Sequence, residues 1–158
     1  MSTFLERWGG KAGALATFGD SITEGLTIPE PPARWANRLA ARFGMRLHNR
    51  GMSGTVLQSS PAAGGAPRDN NGHARFRRDL LGAERGDVVA FLYGTNDARY
   101  VGAPQTFGAT GFVRDFRAVL TGLIAPTSGS ARVLEYEVGR DDDQICLNVG
   151  TLTETPGM

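Results

Sequence analysis

The sequence predicts an α/β fold: a three-layer, flavodoxin-like parallel sheet flanked by helices. Three observations predict it. Short apolar runs alternate with stretches whose apolar residues recur at three- and four-residue steps. The clearest run, Asp87-Val88-Val89-Ala90-Phe91-Leu92-Tyr93, is apolar throughout after its first residue, as in a strand covered on both faces. Glycine makes up 22 of 158 residues, about twice ordinary usage, and clusters where runs end and tight turns are needed. A chain of 158 residues suits one domain. At 41% hydrophobic and 21% charged it has enough apolar side chains for one core.

In chain order, Phe4, Leu5 and Trp8 stand at helical spacing and predict a short capping helix. Ala14 to Phe18 is the first strand. Pro29, Pro31 and Pro32 predict an extended loop over 26–33, beside the end of that strand. Trp35, Ala36, Leu39, Ala40 and Phe43 form an amphipathic stripe, so a helix is expected from Ala33 to Phe43, stopped by Gly44. Met45 to Asn49 reads as a second strand. Residues 58–72 form a long Gly/Pro/Ala/Ser/Asn-rich loop of the kind that often carries function. A helix over Gly72 to Leu81 precedes the strand 87–93. Another over Thr110 to Ala125 has Phe112, Phe116, Val119, Leu120 and Leu123 on one side. Arg132 to Val138 predicts a fourth strand and Ile145 to Val149 a short fifth. Thr151 to Met158 reads as a polar tail.

Composition excludes several function classes. A net charge of +1 implies no nucleic-acid or anionic-membrane partner. The basic run Arg75, Arg77, Arg78 is expected to be a solvated helix face, since no aromatic residues are interleaved with it as single-strand binders need. A single cysteine, Cys146, excludes an internal disulfide and a cysteine-based metal cluster, and neither metal nor cofactor is expected. No apolar stretch follows a basic N-terminal region and no run approaches a membrane span, so cytoplasmic residence is expected.

Three predicted strands end in small or amide residues: Gly19-Asp20-Ser21, then Asn49-Arg50-Gly51-Met52-Ser53-Gly54, then Tyr93-Gly94-Thr95-Asn96-Asp97. In open α/β sheets ligands bind outside the carboxyl ends of the strands, so the three motifs should converge on one rim. A serine there is well sited as a nucleophile, with backbone N–H groups at hand for an oxyanion.

Gly-Asp-Ser, Asn-x-Gly-x-x-Gly and Gly-x-Asn-Asp, in this order, resemble three of the four catalytic blocks of the SGNH (GDSL) hydrolase family of esterases and lipases. The resemblance covers about residues 14 to 125. It implies that Ser21 is the nucleophile attacking the ester carbonyl of a small acylated substrate. It implies an oxyanion hole made by the backbone N–H of Ser21, the backbone N–H of Gly54 and the side-chain amide of Asn96. Glycine suits position 54 because a side chain would obstruct the substrate oxygen. Asp20 and Asp97 are expected to be supports that bond backbone groups of the turns around them.

The family's fourth block, Asp-x-x-His, is absent. The two histidines are His48 and His73. His48 falls inside the second strand and reads as a packed or edge residue. His73 follows the long loop at a helix start and is the candidate base. Asp141-Asp142-Asp143-Gln144 has the block's spacing with a glutamine in place of the histidine, and glutamine cannot act as a base. The expectation is therefore a hydrolase domain over 1–140, incomplete at its C-terminus, followed by an atypical tail over 141–158. Its activity is expected to be impaired for want of the histidine. The alternative is a non-catalytic acyl- or carbohydrate-binding domain on the same rim. A nucleotide-binding reading has no glycine-rich phosphate cradle to support it. An unfinished sheet would expose an edge and favour self-association.

Overall fold

Every residue of β1 (Ala14–Gly19) is buried, which makes it the middle of the sheet. It lies between β2 (Arg46–Gly51) and β3 (Val88–Leu92), parallel to both. The register sets Gly19 opposite Gly51 on one side and Leu92 on the other, so the three strands finish level. The computed structural model describes residues 13–59, 70–99 and 108–124 and the strand backbones 136–141 and 144–149.

The period-two alternation of β1 gives the sheet two apolar faces. Ala16 and Phe18 pack with Leu57, with Phe76 and Leu80 of α3 (Gly72–Leu80), and with Val119 of α5 (Ala109–Ile124). Leu15 and Val88 pack on the other face with Met45 and with Ala40 of α2 (Trp35–Phe43). The result is three layers, helix on sheet on helix, as the sequence predicts. Phe18 meets Phe91 edge to face at 5.8 Å, and Phe91 meets Phe116 likewise at 5.7 Å. Burying a ring of this size stabilises the fold by about 1.5–3 kcal/mol.

Local signals set the helix ends. Gly44 (φ 65°) turns the chain out of α2, and its N–H reaches back to the carbonyls of Ala40 and Ala41. Asn71 caps α3, its Oδ1 accepting from the N–H of Ala74 at 2.8 Å. Two helices are too short to show a period in the sequence: α1 (Ser21–Glu24) and α4 (Thr95–Arg99).

The structure corrects three expectations. The proline stretch is not wholly extended: Pro31–Ala33 is a 3₁₀ turn, because proline's fixed φ suits a first helical position. Arg75 is not part of a solvated face: it is 2% exposed, while Arg77 and Arg78 are exposed. Successive helical residues are 100° apart, and Arg75 falls beside Phe76 on the inward side. Finally, β4 (Tyr136–Asp141) pairs with β5 (Gln144–Val149) as an antiparallel hairpin, separate from the parallel sheet. Asp141 is paired with Gln144 in that hairpin. The expected helix at Phe4, Leu5 and Trp8, most of the 58–72 loop and the 151–158 tail lie outside the described residues.

Candidate active site

Ser21 stands where β1 gives way to α1. Gly19 makes the approach close: a Cβ there would lie 2.0 Å from Thr23 Oγ1 and 2.4 Å from the carbonyl of Leu92. Asp20 is buried and extended, and its Oδ1 accepts from the N–H of Ile22 at 2.9 Å, capping α1. Gly25 (φ 82°) closes the turn by donating to the carbonyl of Ser21. Ser21 is half-buried at the first helical position, where a backbone N–H has no partner within its own helix. Among the described residues no group hydrogen-bonds the Ser21 hydroxyl.

The second motif is locked onto this turn. Asn49 faces Thr17 across the sheet. Its Nδ2 donates to the carbonyl of Thr23 at 2.8 Å, and its Oδ1 accepts from the N–H of Gly51 at 2.9 Å. Met52 N–H donates to the carbonyl of Gly19 at 3.0 Å. Gly51 permits the contact, since a Cβ there would sit 2.1 Å from the nitrogen of Glu24. Glu24 in turn accepts from Ser53 twice, from its N–H at 2.7 Å and from its hydroxyl. This fixes the peptide just before Gly54. Gly54 has φ 74°, and a Cβ built on it meets nothing within 4 Å. The space beside it is open.

The third motif grips the loop that follows Gly54. Asn96 Nδ2 donates to the carbonyl of Thr55 at 2.9 Å, and among the described residues its second amide hydrogen has no partner. Asp97, 3% exposed, accepts from the N–H of Leu57 at 2.9 Å and of Gln58 at 3.0 Å. It therefore supports the second motif's loop rather than its own. Thr55 also donates to the carbonyl of Met52 at 2.7 Å and meets the Tyr93 hydroxyl at 3.2 Å. Burial pushes the Tyr93 phenol up, against the lowering pull of Arg75 and Thr55.

Several contributors carry no role in the sequence reading: Glu24, Asn49, Thr55, Arg75 and Tyr93. Asn49 and Tyr93 lie within the quoted motifs, and their position there is the signal that could have found them. Glu24 and Arg75 have no such signal, because their partners are distant in sequence. Among the described residues neither histidine ring hydrogen-bonds a residue of the three motifs. His48 is held on β2 by the carbonyl of Glu84 at Nδ1 and by Arg46, which donates to Nε2 at 3.0 Å. His73 donates its backbone N–H to the carbonyl of Leu57 at 3.0 Å, and its ring lies 6.3 Å from that of Phe76. Among the described residues no group of three His, Cys, Asp or Glu could hold a metal ion, and no helix is long and apolar enough to cross a membrane.

A solved crystal structure matches the chain with a TM-score of 0.50 at 22% identity, over 70% of this chain and 52% of its own. The chain thus spans about half of that structure's length, and likeness at this identity concerns the fold alone. No curated protein matches the chain. The family model for GDSL-like lipases and acylhydrolases matches residues 17–157, further than the three motifs reach. With its strand-end motifs gathered on one rim, the chain belongs to the GDSL-like lipase/acylhydrolase family.

Proposed function

We propose that the chain is a serine hydrolase of the SGNH type, acting on ester bonds of small acylated substrates. The observation that carries this reading is the convergence of the three motifs on the carboxyl rim of the sheet, joined by the hydrogen bonds of Asn49, Met52 and Asn96. Ser21 Oγ attacks the carbonyl carbon and forms the new C–O bond. Negative charge gathers on the carbonyl oxygen, where the N–H groups of Ser21 and Gly54 and the free amide hydrogen of Asn96 receive it. The C–O bond to the alcohol then breaks, the alcohol leaves with the proton that the Ser21 hydroxyl gave up, and water hydrolyses the acyl-serine to the acid and free Ser21. Asp20 and Asp97 hold the turns and do not touch the substrate. The proposal extends to self-association of the chain through the sheet.

Hydrolysis of a short activated aryl ester tests the reading. Without a histidine at Ser21 the rate should be low, about 10³ to 10⁴ over water, drawn from the oxyanion donors and binding. Ser21→Ala should lose it. His73→Ala should keep most of it, because its ring packs by Phe76 and makes no hydrogen bond to Ser21. Equal hydrolysis by the wild type and Ser21→Ala would reject the site, and loss in His73→Ala would identify that residue as the base. One observation favours a second reading, a non-catalytic acyl- or carbohydrate-binding domain: the Ser21 hydroxyl has no hydrogen-bond acceptor among the described residues. Ligand binding that survives Ser21→Ala, without turnover, would select it.

A further inference from the structure

A single buried cation touches the ends of all three strands. The Nη2 of Arg75 donates to the carbonyl of Gly19 at 2.8 Å, two residues before Ser21. The same nitrogen donates to the Tyr93 hydroxyl at 2.5 Å, one residue beyond β3. Nη1 donates to the carbonyl of Arg50 in β2 at 2.9 Å and pairs with the Asp79 carboxylate at 2.5 Å. The guanidinium lies 4.2 Å from the centre of the Phe18 ring. From Tyr93 the connection runs through Thr55, whose hydroxyl meets it and whose carbonyl accepts from Asn96.

A charge this deep is costly to bury, and packed apolar side chains often replace buried ion pairs without loss of stability. Stability alone therefore does not call for arginine at position 75. What an apolar residue cannot supply is direction. Neighbouring strands are rotated by roughly 20–25° by the sheet's twist, so their ends diverge beyond the last ladder bonds. A planar fork of donors spans two strand carbonyls and a hydroxyl at fixed mutual angles. The compact ammonium of lysine has no such fork.

We propose that Arg75 is a positioning residue, whose guanidinium sets the mutual placement of the Ser21 turn, the Gly54 loop and the Asn96 turn. The proposal rests on the reading of Ser21 as the nucleophile, so its test separates the two.

The probe is an alkyl fluorophosphonate. Ser21 Oγ forms a bond to phosphorus, fluoride leaves, and the hydroxyl proton passes to water. Intact-protein mass gives both the rate of labelling and its final stoichiometry. The wild type should reach one equivalent and Ser21→Ala none. Arg75→Lys and Arg75→Met should label about 100-fold more slowly, as expected of a displacement of about 1 Å. They should still reach one equivalent, with an unchanged far-ultraviolet dichroism spectrum at the assay temperature. Arg77→Ala, an exposed arginine of the same helix, should label like the wild type. Wild-type labelling rates in the Arg75 variants would overturn the proposal. So would a reduced stoichiometry at an unchanged rate, which would make Arg75 a prop of the fold only. If Arg75→Met does not fold, Arg75→Lys decides. Failure to label the wild type, or equal labelling of Ser21→Ala, would overturn the nucleophile reading itself, and the positioning role with it.

Discussion

Asp97 offers two carboxylate oxygens to two backbone donors, the N–H groups of Leu57 and Gln58. The match is specific to a carboxylate in this setting. Asp97→Ala leaves two buried donors without partners, at about 1–3 kcal/mol each, so a loss of about 2–6 kcal/mol is expected. Asp97→Asn is the sharper test. The amide keeps one acceptor oxygen but turns an NH₂ toward the second N–H, donor against donor. It should lose nearly as much stability as the alanine variant, read as the midpoint of urea unfolding at neutral pH. A midpoint for Asp97→Asn equal to that of the wild type would mean that the second bond contributes nothing. Asn96, its neighbour, differs in kind: its amide has one hydrogen to spare, whereas Asp97 is fully used by the fold.

The elements around the site are short and are held by side chains from elsewhere. An isolated helix under about 12 residues is marginal in water, yet α1 has four residues and α4 five. The Asp20 cap and the bond from Asn49 to Thr23 hold α1, while Asn96 and Asp97 tie α4 to the loop at 55–58. The long helix α5 plays the same part for Ser59. Its Asp115, 2% exposed, accepts from the Ser59 N–H at 2.7 Å and hydroxyl at 2.8 Å, and from Arg114. Burial alone would raise the Asp115 pKa, but the hydrogen bonds from Arg114 and Ser59 outweigh it and hold the pKa at about 2. A pKa depressed by folding means that the bound form is the charged one. Its contribution is complete above the ordinary carboxylate pKa of about 4 and fades as the pH falls through about 2. The gap in urea midpoint between the wild type and Asp115→Asn should therefore be full at pH 6 and shrink between pH 4 and pH 2. A gap that stays constant over that range would mean that the carboxylate's charge is not what ties Ser59 to α5.

At the scale of the whole molecule, the strands and long helices were legible because their apolar periods are sequence properties. The convergence of Ser21, Gly54 and Asn96 on one rim followed from topology. What joins those residues was not legible. Glu24, Arg75 and Thr55 act on groups far away in the chain, and whether an arginine on a helix faces water or the strand ends depends on how that helix sits. The hairpin of β4 and β5 was hidden for a similar reason, since alternation predicts a strand but not its partner. The sheet's two outer edges differ in the same physical terms. β2 carries Arg46 and Arg50, and charged side chains on an edge discourage pairing with another chain. β3 is Val-Val-Ala-Phe-Leu, with no charge and no proline, and among the described residues no strand pairs with its outer side. Leu92 at its end is 41% exposed. Self-association should therefore run through β3 and not through β2. Sedimentation at micromolar concentration should show association of the wild type. Leu92→Lys should shift it toward monomer, and Arg46→Glu should leave it unchanged. A monomeric wild type would refute the proposed association, while an effect of Arg46→Glu without one of Leu92→Lys would move the contact to β2.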